Sequence, residues 1–99
     1  MYLSVRNVKP LEEYKLLLTF ENKEKRVFDV SPYLNVGKFS ELKGPSLFNT
    51  VKVKFDSIEW SNSLDLDPEL LYQKSVKLNK KMHITKIIQP TTKNVAADY

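Results

Sequence analysis

His83 is the only histidine in the chain and the natural first place to look for a general base. It stands in a lysine-rich segment, with no serine or carboxylate at a recognisable spacing. A catalytic dyad would therefore have to be assembled by folding alone. A surface or partly buried histidine is the simpler reading, and no catalytic residue is assigned. Asp56, Glu59, Asp65, Asp67 and Glu69 form the second feature, five carboxylates in a short run. Oxygen ligands of this kind suit a hard divalent cation. Each acid also has a local reason to be where it is: Asp56 in a turn, Glu59 on the wet face of a strand, Asp67 and Glu69 at a helix start. The run reads better as a charged surface patch that meets a basic protein partner or the chain's own tail, so neither a metal site nor a cofactor is expected. Lys74, Lys77, Lys80, Lys81 and Lys86 are the opposite feature. They could neutralise phosphates, but they come without arginine and without a stacking aromatic until Tyr99. No Walker loop, dinucleotide fingerprint or zincin motif can be written over the sequence.

The totals bound what must hold these residues. Ninety-nine residues make one domain with one modest core. With 41% hydrophobic and 28% charged residues and only two glycines, the composition is that of an ordinary globular domain. The chain has no cysteine, which excludes disulfides, thiolate nucleophiles and thiolate metal sites and fits a reducing compartment. No apolar run approaches the ~20 residues that span a bilayer. The opening Met-Tyr-Leu-Ser-Val-Arg lacks the basic-then-apolar order of a secretory signal, so a cytoplasmic location is expected. The net charge of +4 is unevenly placed. Residues 1–72 carry ten basic and eleven acidic side chains, whereas residues 73–99 carry six lysines against Asp98.

Several elements can position the charged residues. Residues 2–9 read as a strand closed by Pro10. Tyr14, Leu16, Leu18 and Phe20 alternate with Lys15, Leu17, Thr19 and Glu21, which predicts a better one. A polar turn at Asn22-Lys23 leads to Arg26–Val30, where Phe28 and Val30 share the face of Phe20. The pair makes a hairpin. Asp29 or Ser31 with Pro32 offers a short helical start that Gly37 interrupts, and further helical turns are expected near 38–42 and 45–49. Val51, Val53 and Phe55 alternate with Lys52, Lys54 and Asp56. After a turn at Asp56-Ser57, Ile58 and Trp60 continue the apolar face, giving a second hairpin with Trp60 as a core anchor. Asp67-Pro68-Glu69 combines an N-cap carboxylate, a proline at the first helical position and an acid at the positive end of the dipole. It predicts a helix over about 67–76. A final edge strand over 82–88 precedes a tail with little that would pack.

The set Val8-Lys-Pro10, Tyr14-x-Leu16-x-Leu18-x-Phe20, Phe28-Asp29-Val30-x-Pro32, Phe39-x-x-Leu42, Phe48-x-x-Val51-x-Val53, Ile58-x-Trp60 and Asp65-Leu66-Asp67-Pro68-x-x-Leu71-Tyr72 resembles a bacterial family, domain of unknown function 2442 (DUF2442). Two departures stand out. The family often has Asp-Gly or Asn-Gly where this chain has Asn22-Lys23, and glycine is commoner where this chain has Ser63. The resemblance implies a small α+β domain and no established activity. It also implies a bacterial or phage setting, in which some members sit beside small toxin-like partners or carry a helix-turn-helix regulator behind them.

The resulting expectation is an α+β domain over 1–76: a small, mostly antiparallel sheet of two hairpins plus the N-terminal strand, flanked by short helices. Residues 77–99 form a basic extension. The expected function is a non-enzymatic protein-interaction module, antitoxin-like or inhibitory, with a homodimer as one form of association. Its protein-binding candidates are the five acids. The alternative is a DNA-associated regulator that binds nucleic acid through the five lysines.

Overall fold

The computed structural model describes residues 2–78. The chain begins with β1 (Val5–Leu11), which meets β2 (Lys15–Phe20) in antiparallel register, Val8 opposite Leu18 and Pro10 opposite Leu16. The expectation that Pro10 closes the first strand is corrected. The strand runs through it to Leu11, because β1 is an edge of its sheet and a proline there can turn its missing donor away from the ladder. An irregularity between Val5 and Asn7 bends the same strand.

β3 (Lys25–Asp29) completes the first hairpin, with Leu16 opposite Phe28. Leu16, Leu18 and Phe20 are buried along one face of β2, and Phe28 and Val30 join them, as the period-two pattern requires. A 3₁₀ turn over Ser31–Tyr33 follows; the Asp29 carboxylate accepts the Ser31 N–H at 2.9 Å at its start. A second 3₁₀ segment, Gly37–Lys43, and the single helical turn α1 (Pro45–Phe48) bring Leu42 and Phe48 into the core.

The second hairpin is β4 (Lys52–Lys54) and β5 (Ser57–Glu59), and β6 (Asp65–Leu66) adds to it. α2 (Pro68–Lys74) comes next, with the Asp67 side chain accepting the Leu70 N–H at 3.1 Å. The helix ends at Lys74, short of the expected 76, because Val76–Lys77 forms β7 beside β3.

The strands do not make one sheet. They form an antiparallel sheet in the order β1-β2-β3-β7 and a separate antiparallel sheet β4-β5-β6. The two are stitched where the Val5 N–H donates to the Asp56 carbonyl at 2.9 Å. Between them lies one core, in which Trp60, Phe20, Phe28, Leu16, Leu18, Leu42, Ile58 and Leu71 are fully buried. Trp60 is 1% exposed, and its indole N–H donates to the Phe48 carbonyl at 3.0 Å, so the ring also anchors α1.

Lys23 and Ser63, where the family pattern favours glycine, adopt φ of 72° and 69°. Both lie in the left-handed region that glycine enters without strain.

Candidate functional site

The β4–β5 turn organises the site. Lys54 pairs with Ser57, which leaves Phe55 and Asp56 as a two-residue loop. Phe55 was expected on the buried face with Val51 and Val53. That reading is corrected: the turn falls one residue earlier than Asp56-Ser57, and a residue in a turn is released from the alternation of its strand. Phe55 is 90% exposed and has φ of 58°, a conformation uncommon for a bulky residue.

Behind Phe55 lies an open groove of about 500 Å³ lined by Tyr2, Lys54–Glu59 and Asp65–Pro68. Tyr2 reaches it from the N-terminal segment, and its hydroxyl donates to the Asp56 carboxylate at 2.7 Å. That hydrogen bond, followed by the carboxylate's charge, holds the phenol above its ordinary pKa. The Ser57 hydroxyl donates to the Leu66 carbonyl and ties β5 to β6. Lys54 Nζ stands 2.9 Å from the Glu59 carboxylate and 5.8 Å from the centre of the Phe55 ring.

Asp56, Glu59, Asp65 and Asp67 all line this groove, and Glu69 does not. Glu69 sits exposed in the first turn of α2, where it complements the helix dipole. Glu59 is directly opposite Asp65 across β5 and β6, so two like charges share one face of the small sheet. Cross-strand pairs of this kind are destabilising. Lys54 offsets the Glu59 member, whereas the Asp65 carboxylate has no ion pair among the described residues. Against Lys54, the four acids leave the groove lining three charges negative. Among the described residues, no group of three or more acids or imidazoles is placed to hold a metal ion.

Of the five candidate lysines, Lys74 and Lys77 are described. Lys74 is exposed in the last turn of α2, and Lys77 stands 3.5 Å from the Glu24 carboxylate. Glu24 also accepts the Tyr72 hydroxyl at 2.8 Å and an Arg26 N–H at 3.2 Å. The Tyr72 bond first, then the Arg26 bond and the Lys77 charge, hold its carboxyl below the ordinary value, against some desolvation. Arg26 lies 4.2 Å over the Tyr72 ring and bonds both the hydroxyl and the carbonyl of Ser75. This cluster fastens α2 and β7 to β3. Lys80, Lys81, Lys86, His83 and the expected strand over 82–88 lie outside the described residues.

A second open cleft, about 520 Å³, is lined by Lys9–Tyr14, Pro45, Phe48 and Asn49. Glu13 and Tyr14 beside it both have φ of 62°. The Tyr14 hydroxyl donates to the Lys43 carbonyl at 2.6 Å, and its ring meets Phe48 edge-on, so the left-handed pair positions a packing residue.

Sequence reasoning missed Phe55, Tyr2 and Lys54 as members of a site. No glycine or asparagine marks the turn, and the alternation of Val53 and Phe55 breaks only at the adjacent polar pair Asp56-Ser57, which points to a turn one residue late and leaves Phe55 on the strand. Two strand pairs, a capped helix after Trp60 and the set of motifs from Val8 to Tyr72 now stand together. The chain belongs to the family DUF2442. The family model, described as a protein of unknown function, matches residues 5–77. The DUF2442 match thus covers both sheets and both helices. No curated protein and no solved structure matches the chain. No helix among the described residues is long and apolar enough to cross a membrane.

Proposed function

We propose that this DUF2442 protein is a non-enzymatic interaction module that binds a protein partner through the β4–β5 turn and the groove behind it, as an antitoxin-like neutraliser or inhibitor. The observation that carries the reading is Phe55, a large apolar ring 90% exposed on a left-handed backbone. A fold gains nothing from such a residue, whereas a binding face uses an aromatic as its anchor. The setting agrees with this. The groove is open, its acids outweigh Lys54 and leave it net negative, and Tyr2 adds a second part-exposed ring, 45% accessible, at its wall. The polar groups that could act as nucleophiles are engaged in holding the groove together, Ser57 on Leu66 and Tyr2 on Asp56. That favours recognition over turnover.

The test is co-purification from the native host with tagged wild-type chain and a Phe55→Ser variant, followed by reconstitution with the purified partner. The expected result is a partner held in fixed proportion by the wild type and lost with Phe55→Ser. If the product of a neighbouring reading frame is toxic, co-expression with wild type, and not with the variant, restores growth. Recovery of the chain alone, or a partner held equally by both chains, overturns the reading.

A further inference from the structure

We infer that the partner enters this groove with an arginine on an extended segment, its guanidinium stacked on Phe55 and its N–H groups directed to the Glu59–Asp65 carboxylates. The inference rests on the interaction reading above and names the chemistry of the partner. Three observations lead to it.

The first is the unfavourable pairing of Glu59 with Asp65 across β5 and β6. Glu59 already has Lys52 opposite it on β4 and Lys54 at 2.9 Å, so Asp65 is the member with no ion pair among the described residues, and a cation brought to it relieves the repulsion. The second is the position of Lys54 itself, 2.9 Å from Glu59 and 5.8 Å from the Phe55 ring centre. The chain thus already holds one of its own cations between a groove carboxylate and this ring. The third is the exposure of Phe55, which leaves most of the ring open to a second cation.

Guanidinium and ammonium answer these features differently. A guanidinium is planar, so it can stack on an aromatic face while its edge directs paired N–H bonds to carboxylates. An ammonium is a compact, strongly hydrated point charge. It satisfies a carboxylate well and a ring face less well. The charge of the groove selects a cationic segment, and the ring beside the charge selects arginine over lysine.

The test uses the full chain and two fluorescein-labelled Gly-Ser peptides, one with Arg-Gly-Arg at its centre and one with Lys-Gly-Lys, titrated by fluorescence anisotropy at low and at physiological salt. The arginine peptide is expected to bind about two- to fivefold more tightly, the range an exposed cation–π contact supplies. Phe55→Leu, which keeps apolar bulk without the π face, should erase that preference. Asp65→Asn should weaken both peptides, more at low salt than at high. Trp60 fluorescence reports that each variant is folded. Equal binding of the two peptides, binding of neither, or a preference that survives Phe55→Leu overturns the arginine assignment. If the arginine preference fails while Phe55-dependent partner capture persists, only this inference falls. If Phe55-dependent capture itself is absent, the interaction reading falls.

Discussion

Phe55 gives the sharpest prediction, because its backbone and its ring can be separated by two substitutions. Phe55→Ala and Phe55→Gly both remove the ring, and with it the same contacts to Lys54 and to solvent. With the side chain 90% exposed, little apolar burial is lost in either. The variants differ in what the backbone experiences at φ of 58°. A left-handed conformation costs an L-residue about 1–2 kcal/mol, which glycine escapes. Glycine loses about 0.5–1 kcal/mol relative to alanine through the entropy of the unfolded chain. The difference leaves Phe55→Gly more stable than Phe55→Ala by about 0.5–1 kcal/mol, the reverse of the order at an ordinary strand position. For a domain of this size that is a Tm higher by roughly 2–8 °C. Thermal unfolding followed by Trp60 fluorescence, with urea titration as a check on the slope, measures it. Equal stability, or alanine above glycine, would refute the argument that the turn holds Phe55 against backbone strain. If the order is as stated and neither variant retains the partner, the ring is kept at a cost to folding, the pattern expected of a functional residue.

Trp60→Phe removes the donor to the Phe48 carbonyl as well as ring volume, and leaving a buried acceptor unpaired costs ~1–3 kcal/mol. With the lost packing, the unfolding free energy from urea titration should fall by about 2–4 kcal/mol, and a loss under about 1 kcal/mol would contradict the anchoring role. Lys23→Gly and Ser63→Gly each relieve a left-handed position and should stabilise by up to about 1 kcal/mol, measured by urea unfolding. A loss of stability at either site would show that the side chain matters more than the strain. Glu24 has a folded-state pKa below its ordinary value, so its cluster stabilises at neutral pH. That stability is lost as acidification passes the unfolded value and then the lower folded one. In a melting series across acidic pH, Glu24→Gln should be less stable than wild type near neutrality, and the two should converge in acid. Parallel curves would exclude Glu24 as the linked group.

Some of this was legible from residue types alone. Leu16, Leu18 and Phe20 declared their shared face by period two, and Asp67-Pro68 declared the start of α2, because both signals act within a few residues. The membership in DUF2442 was equally readable from the spacing of its motifs. The turn between β4 and β5 was legible only to within one residue: the polar pair Asp56-Ser57 breaks the alternation, but no glycine fixes the loop, so Phe55 reads as the end of the strand when it belongs to the turn. The short strands β6 and β7 were missed for a related reason: two residues carry no periodicity, and their pairing is set by what lies opposite.

The amino-acid order by itself determined the α+β class, the inner face of β2, the burial of Trp60 and the capped start of α2, since each follows from local conformational preference or from the need to bury a patterned face. Only the tertiary structure decided that the strands divide into two sheets, that Tyr2 meets Asp56 across 54 residues, and that Glu59 faces Asp65. These are matters of register and non-local contact, fixed when the core around Trp60 closes and the β4–β5 turn is left with Phe55 outside it.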